Sequence, residues 1–163
     1  MDNGLNAKEM AFKRIVQWLT DYGFRIEEET RNNTSPAEIQ FEAKVYPGEE
    51  ESRFFVVTFS NELKDSFLIR STVFLEKEYS QAIDGLRKKE QQQLFIEIFR
   101  LVYTQHIDCD IRFPDVYIYK QIFIEALTDK QFFFDSIFNL MRAMRLVEGR
   151  YDELYYSFFP DVK

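Results

Sequence analysis

The chain has 163 residues, among them 18 Phe, nine Tyr and one Trp, but a single His and a single Cys. Its length fits one domain, 1–163, with a continuous core, and an apolar share of 45 % beside 30 % charged residues rules out disorder throughout. One Cys excludes an intrachain disulfide, one Cys with one His cannot build a structural zinc site, and a net charge of −7 argues against non-specific nucleic-acid binding and anionic membrane surfaces.

Residues 7–22 read as a helix. Ala11, Ile15, Trp18, Leu19 and Tyr22 recur at three- and four-residue spacing, with Lys8, Lys13, Arg14, Gln17 and Asp21 on the other side. Asn6 and Glu9 have the spacing of a capping box, and Gly23 supplies the stop. The period then changes to two. Residues 24–29 form a short strand candidate, 30–36 a polar turn, and Ile39, Phe41, Ala43 and Val45 alternate with Glu38, Gln40, Glu42 and Lys44 as a half-buried strand. Pro47-Gly48 starts a reversal, and Glu49 to Glu51 keep that loop in water. Residues 53–60 and 66–74 are two further strands, and short loops imply antiparallel neighbours.

Residues 76–106 return to helical character, divided at Gly85. In the second piece Leu94, Ile98, Leu101, Val102 and Gln105 share one stripe, with Phe95 and Phe99 beside it. Cys109, Ile111 and Phe113 then alternate with Asp108, Asp110 and Arg112. Pro114-Asp115 has the look of a tight turn, and 117–125 completes the pair. Thr128 and Gln131 have capping-box spacing before a terminal helix whose Phe133, Ile137, Leu140, Met141, Met144 and Val147 trace one face. Past Gly149, Tyr151 to Phe159 stays amphipathic. The predicted order is helix, three or four strands, helix, two strands, helix: an α+β layout of one antiparallel sheet packed against helices in two layers.

That order resembles the type III secretion chaperone-like fold, and a set of uncharacterised archaeal and bacterial domains sharing its layout. The residues that carry the resemblance are Ile118 to Glu125 running into Ala126-Leu127-Thr128-Asp129 and an aromatic helix, with Trp18-Leu19, Tyr22-Gly23-Phe24 and Glu27-Glu28-Glu29 at the start. It is a likeness of pattern over nearly the whole chain, without a catalytic signature. The chain departs from it by showing four strand-like runs before the second long helix. The resemblance implies a small acidic non-enzymatic homodimer that holds segments of other proteins.

Candidate chemistry is sparse. His106 ends the second long helix, where a cationic side chain suits the unpaired carbonyls, and a catalytic triad would need a matched nucleophile and orienter. Cys109 shares a strand side with Ile111 and Phe113, which points to packing rather than nucleophilic reactivity. Asp108, Asp110 and Asp115 cluster near one hairpin; they are the only candidate for a divalent-metal or acid-base site, set against a plain solvated strand face. The five glycines are too dispersed for a phosphate loop, so no cofactor is expected. No apolar run approaches the roughly 18–20 residues of a membrane helix and the first residues carry no apolar signal region, so a cytoplasmic location without membrane contact is expected. Asn32-Asn33-Thr34 and Asn33-Thr34-Ser35 match the glycosylation sequon but read as part of the polar turn.

The aromatic surplus is the most informative feature. The strands at 54–59 and 118–124 are apolar or aromatic on both faces, and one helix layer covers only one. A second buried interface follows, most simply a homodimer, with another protein or peptide as a further partner. The surfaces indicated are the outer sheet face, the second long helix or the segment 151–159, with Tyr117, Tyr119, Phe123, Tyr151, Tyr155 and Phe159 as candidate contact residues.

Overall fold

The computed structural model describes residues 3–30, 39–49, 53–74 and 77–159. Most of the expected polar turn at 30–36, with its sequons, and Glu50 and Glu51 lie outside the described residues. The elements run α1 (Asn3–Asp21), β1 (Arg25–Thr30), β2 (Ile39–Tyr46), β3 (Phe55–Ser60), β4 (Ser66–Val73), α2 (Lys77–Asp84), α3 (Lys88–Tyr103), β5 (Asp108–Arg112), β6 (Asp115–Phe123) and α4 (Lys130–Phe158), with a 3-10 turn at Ile124–Thr128. The strands make one antiparallel sheet in the order β1-β2-β3-β4-β6-β5, and helices pack against it. The α+β class is therefore as read from periodicity, with four strands ahead of α2. The chain groups into two compact units, Met1–Arg70 with Lys120–Asp135 and Ser71–Tyr119 with Ser136–Lys163.

In the first unit, α1 starts at Asn3, so Asn6 lies inside the helix instead of capping it. Gly23 ends it at φ 95°: its N–H donates to the Thr20 carbonyl at 2.9 Å, and the Phe24 N–H donates to that of Leu19 at 3.0 Å. This pair of bonds satisfies the last carbonyls, and glycine adopts the left-handed backbone without a Cβ penalty. Ala11, Phe12, Ile15 and Leu19 face inward, and Lys8, expected on the polar side, joins them with 6 % exposure. Residues 24–29 do contain a strand: β1 is the end strand, registered on β2 with Arg25 opposite Tyr46.

Aromatic rings fill this core as a connected series. Phe12 stacks on Phe41 at 5.4 Å and meets Phe59 edge-on at 5.9 Å; Phe59 stacks on Phe67 at 4.8 Å; Phe67 and Trp18 both meet Phe133, at 6.3 and 5.8 Å. The opposite sheet face is polar along Glu42, Thr58 and Arg70, where the Arg70 guanidinium donates to Thr58 Oγ1 and to the Glu42 carboxylate, both at 3.1 Å. Tyr46 on that face is covered locally, with the Arg25 guanidinium 4.2 Å above its ring and its hydroxyl donating to Glu27 at 3.0 Å. Long charged side chains thus cover part of this outer face. At the start of α4 the cap is Asp129, not Thr128: the Phe132 N–H donates to Asp129 Oδ1 at 3.1 Å, and the Thr128 hydroxyl turns back to the Glu125 carbonyl.

In the second unit, α2 and α3 are separated at Gly85 as expected. Arg112 pairs with Asp115 across the β5–β6 hairpin, so the turn is centred on Phe113-Pro114, joined by a cis peptide bond, one residue earlier than predicted. Ile137, Leu140, Met144, Val147 and Tyr151 are buried along α4. Their three- and four-residue spacing runs straight past Gly149, which explains why the helix continues to Phe158.

Candidate functional site

The α3 helix is positioned by a local start signal and by one buried stripe. The Arg87 backbone N–H donates to Glu90 Oε2 at 2.9 Å, and the Arg87 side chain grips the same carboxylate. That holds Glu90 in the first turn, where the helix dipole favours negative charge. Leu94, Ile98 and Val102 turn inward. At the other end His106 adopts φ 56° and donates its backbone N–H to the Tyr103 carbonyl at 2.9 Å. The lone His is thus a helix-end residue in the structure too.

What distinguishes α3 is a second apolar stripe, on the solvent side. Phe95, Ile96, Phe99 and Tyr103 are 43 %, 48 %, 46 % and 66 % exposed. Phe99 and Tyr103 stack nearly parallel, centroids 6.0 Å apart. Beside them lies a shallow groove of about 440 Å³, lined by Lys88, Gln91, Gln92, Phe95, Ile96 and Phe113. The two carboxylates of α3 belong elsewhere: Glu90 pairs with Arg87, and Glu97 accepts from Arg150 of α4 at 2.7 Å. Phe95, Ile96, Phe99 and Tyr103 thus give α3 an exposed apolar face. A further groove of about 540 Å³ runs between α3 and the end of α4, with Leu94, Leu154 and Phe158 in its wall and the paired charges Arg87–Glu90 and Arg150–Glu97 beside them.

The carboxylates of the hairpin are not assembled into a metal centre. Asp110 is held by Arg112 at 2.6 Å, Asp108 is exposed, and Asp115 lies opposite Arg112 in the register. Among the described residues no three His, Cys, Asp or Glu side chains are grouped so as to hold a metal ion. Cys109 is half-buried, and desolvation, with Asp108 and Asp110 adding to it, pushes its thiol up to about 11.

Residues 12–149 match a family described as "Uncharacterized conserved protein (DUF2299)". The chain belongs to that family. It is also similar to a solved structure, "Crystal structure of an uncharacterized protein from Methanothermobacter thermautotrophicus", with 20 % identity, a TM-score of 0.72, and coverage of 89 % of this chain and 99 % of that one. That likeness is one of fold. No curated protein matches the chain.

Against the expected contact residues, this DUF2299 chain divides them sharply. Tyr117 and Phe123 are exposed and Tyr119 is half-buried on β6, alternating with buried Val116, Ile118 and Ile122. Tyr155 stacks on Tyr79 at 4.8 Å and meets Phe159 at 5.0 Å, with Phe159 itself exposed. Tyr151 departs from the expectation. It is 1 % exposed, with its hydroxyl 3.5 Å from the Pro114 carbonyl oxygen, because it falls on the buried stripe of α4. Burial, with Asp115 nearby, raises its hydroxyl pKa.

Ile96, Tyr103 and Phe113 were missed. The signal was present: apolar residues at 94, 98 and 102 and again at 95, 99 and 103 cover more of the helix surface than one buried face requires. No helix among the described residues is long and apolar enough to cross a membrane.

Proposed function

We propose that the protein is a non-enzymatic, cytoplasmic protein-interaction module that works as a homodimer, with the solvent-side face of α3 as its contact surface. The observation that carries this reading is the exposure of Phe95, Ile96, Phe99 and Tyr103 on one helix face beside an apolar groove. Burying such side chains is worth about 25 cal/mol per Å² of apolar surface, which favours a covered state. The resemblance to secretion chaperones supports a holding role toward another protein or peptide. Sedimentation equilibrium at micromolar concentration tests the reading. The wild type is expected at twice the chain mass, and Phe99→Lys at the chain mass with an unchanged far-ultraviolet circular dichroism spectrum. A wild type that stays monomeric across the range overturns it.

A further inference from the structure

The exposed face of α3 is self-complementary. At about 100° per residue, positions 88, 92, 95, 96, 99 and 103 fall within an arc of about 100°. All six are exposed. They also reflect onto one another about the midpoint between Phe95 and Ile96: Lys88 onto Tyr103, Gln92 onto Phe99, Phe95 onto Ile96. A two-fold axis makes residue i meet j while j meets i, so this is the pattern an isologous, antiparallel helix pair requires.

We infer that a second copy docks on α3 in this register, with Tyr103 of each copy seated in the groove that Lys88, Gln91, Gln92 and Phe113 line on the other. The inference rests on the homodimer reading and specifies its interface. Tyr103 is the most exposed large apolar residue on the face, and the groove lies where its mirror position falls. Lys88 and Lys89 stand at the start of α3, so antiparallel docking brings them to the end of the other copy's α3, where its partial negative charge and the exposed Asp108 shortly beyond are set against a single cation of the last turn, Arg100. The Lys88 ammonium also meets the face of a tyrosine ring, a favourable cation–π pairing.

Paired cysteines in a Cys109→Ser background test the register. Gln92→Cys with Phe99→Cys is expected to give a covalent dimer on mild oxidation, about tenfold faster than Phe99→Cys alone, which loses the same ring but leaves the two thiols about 10 Å apart along the helices. Tyr103→Ala is expected to weaken dimerisation at least about tenfold. A wild type that is dimeric by sedimentation, but whose 92/99 pair crosslinks no faster than Phe99→Cys alone, overturns this register and leaves the homodimer standing. So does an unchanged dissociation constant for Tyr103→Ala. A monomeric wild type overturns both readings, as does a face that is covered only by a different, acidic helical partner.

Discussion

The Lys8 ammonium donates to the Ser60 carbonyl oxygen at 2.8 Å, pinning the first helix to the end of the third strand from a position that is only 6 % exposed. Removing the donor leaves a carbonyl with less than its full complement of partners in a partly dry site, a cost of about 1–3 kcal/mol. Lys8→Ala is expected to lose that much stability in urea melts, and Lys8→Met less, because the apolar stem remains. Burial lowers the Lys8 pKa from 10.5, while the nearby Asp65 opposes the shift. The unfolded chain therefore holds this proton more tightly. The penalty that burial places on the Lys8 ammonium, set against its hydrogen bond, is present in full below the lowered folded value and is relieved as pH rises toward 10.5. The stability of the wild type relative to Lys8→Met should accordingly rise between neutral pH and about pH 9.5, where lysines begin to titrate. A pH-independent difference would count against the desolvation.

Phe59 sits between Phe12 and Phe67, at 5.9 and 4.8 Å, and is fully buried. Phe59→Ala is expected to cost about 3–5 kcal/mol, from lost transfer energy and a cavity that rigid neighbours on two strands and a helix cannot fill. Denaturant unfolding measures it. A cost below about 1 kcal/mol would show that the ring series collapses on itself.

Arg150 donates to Glu97 through Nε at 3.0 Å and Nη2 at 2.7 Å, joining the third helix to the last. Both side chains are about one-third exposed, so Glu97→Gln is expected to cost only about 0.5–1 kcal/mol at neutral pH, less in high salt. The hydrogen bond from Arg150 is the chief cause that holds the Glu97 carboxyl below its usual 4.5. Its contribution is present above 4.5 and disappears as pH falls through the lower folded value, so wild type and variant should converge in acid. Urea melts across that range check the convergence.

The Cys109 thiol, pushed up to about 11 by burial and by two neighbouring aspartates, holds little thiolate near neutrality. Reaction with a disulfide reagent at pH 8 should run about two orders of magnitude slower in the folded chain than in denaturant. Equal rates would show that the strand side carrying Cys109 opens freely.

Much of the fold was legible because periodicity reports which side of an element is covered. The stripe at 133, 137, 140, 144 and 147 and the alternation at 41, 43 and 45 are buried as their spacing implies. Terminal residues were harder. Asn6 and Thr128 both have capping-box spacing, yet the first helix begins three residues before Asn6 and the last is capped one residue after Thr128. A short polar side chain is a possible cap wherever it stands, and the choice among adjacent ones depends on where the preceding chain can turn.

By itself the sequence determined the α+β class, the break at Gly85, the stop at Gly23 and the poverty of catalytic groups, since these follow from local spacing and residue chemistry. Only the tertiary structure decided which aromatic residues are core and which are surface. Tyr151 and Tyr103 look alike on a helical wheel, each in line with an apolar stripe. One is buried because its stripe faces packed neighbours; the other projects into water because the third helix has already spent its inward face on Leu94, Ile98 and Val102. A stripe can be read from periodicity, but whether anything lies opposite it is a property of distant segments meeting in space.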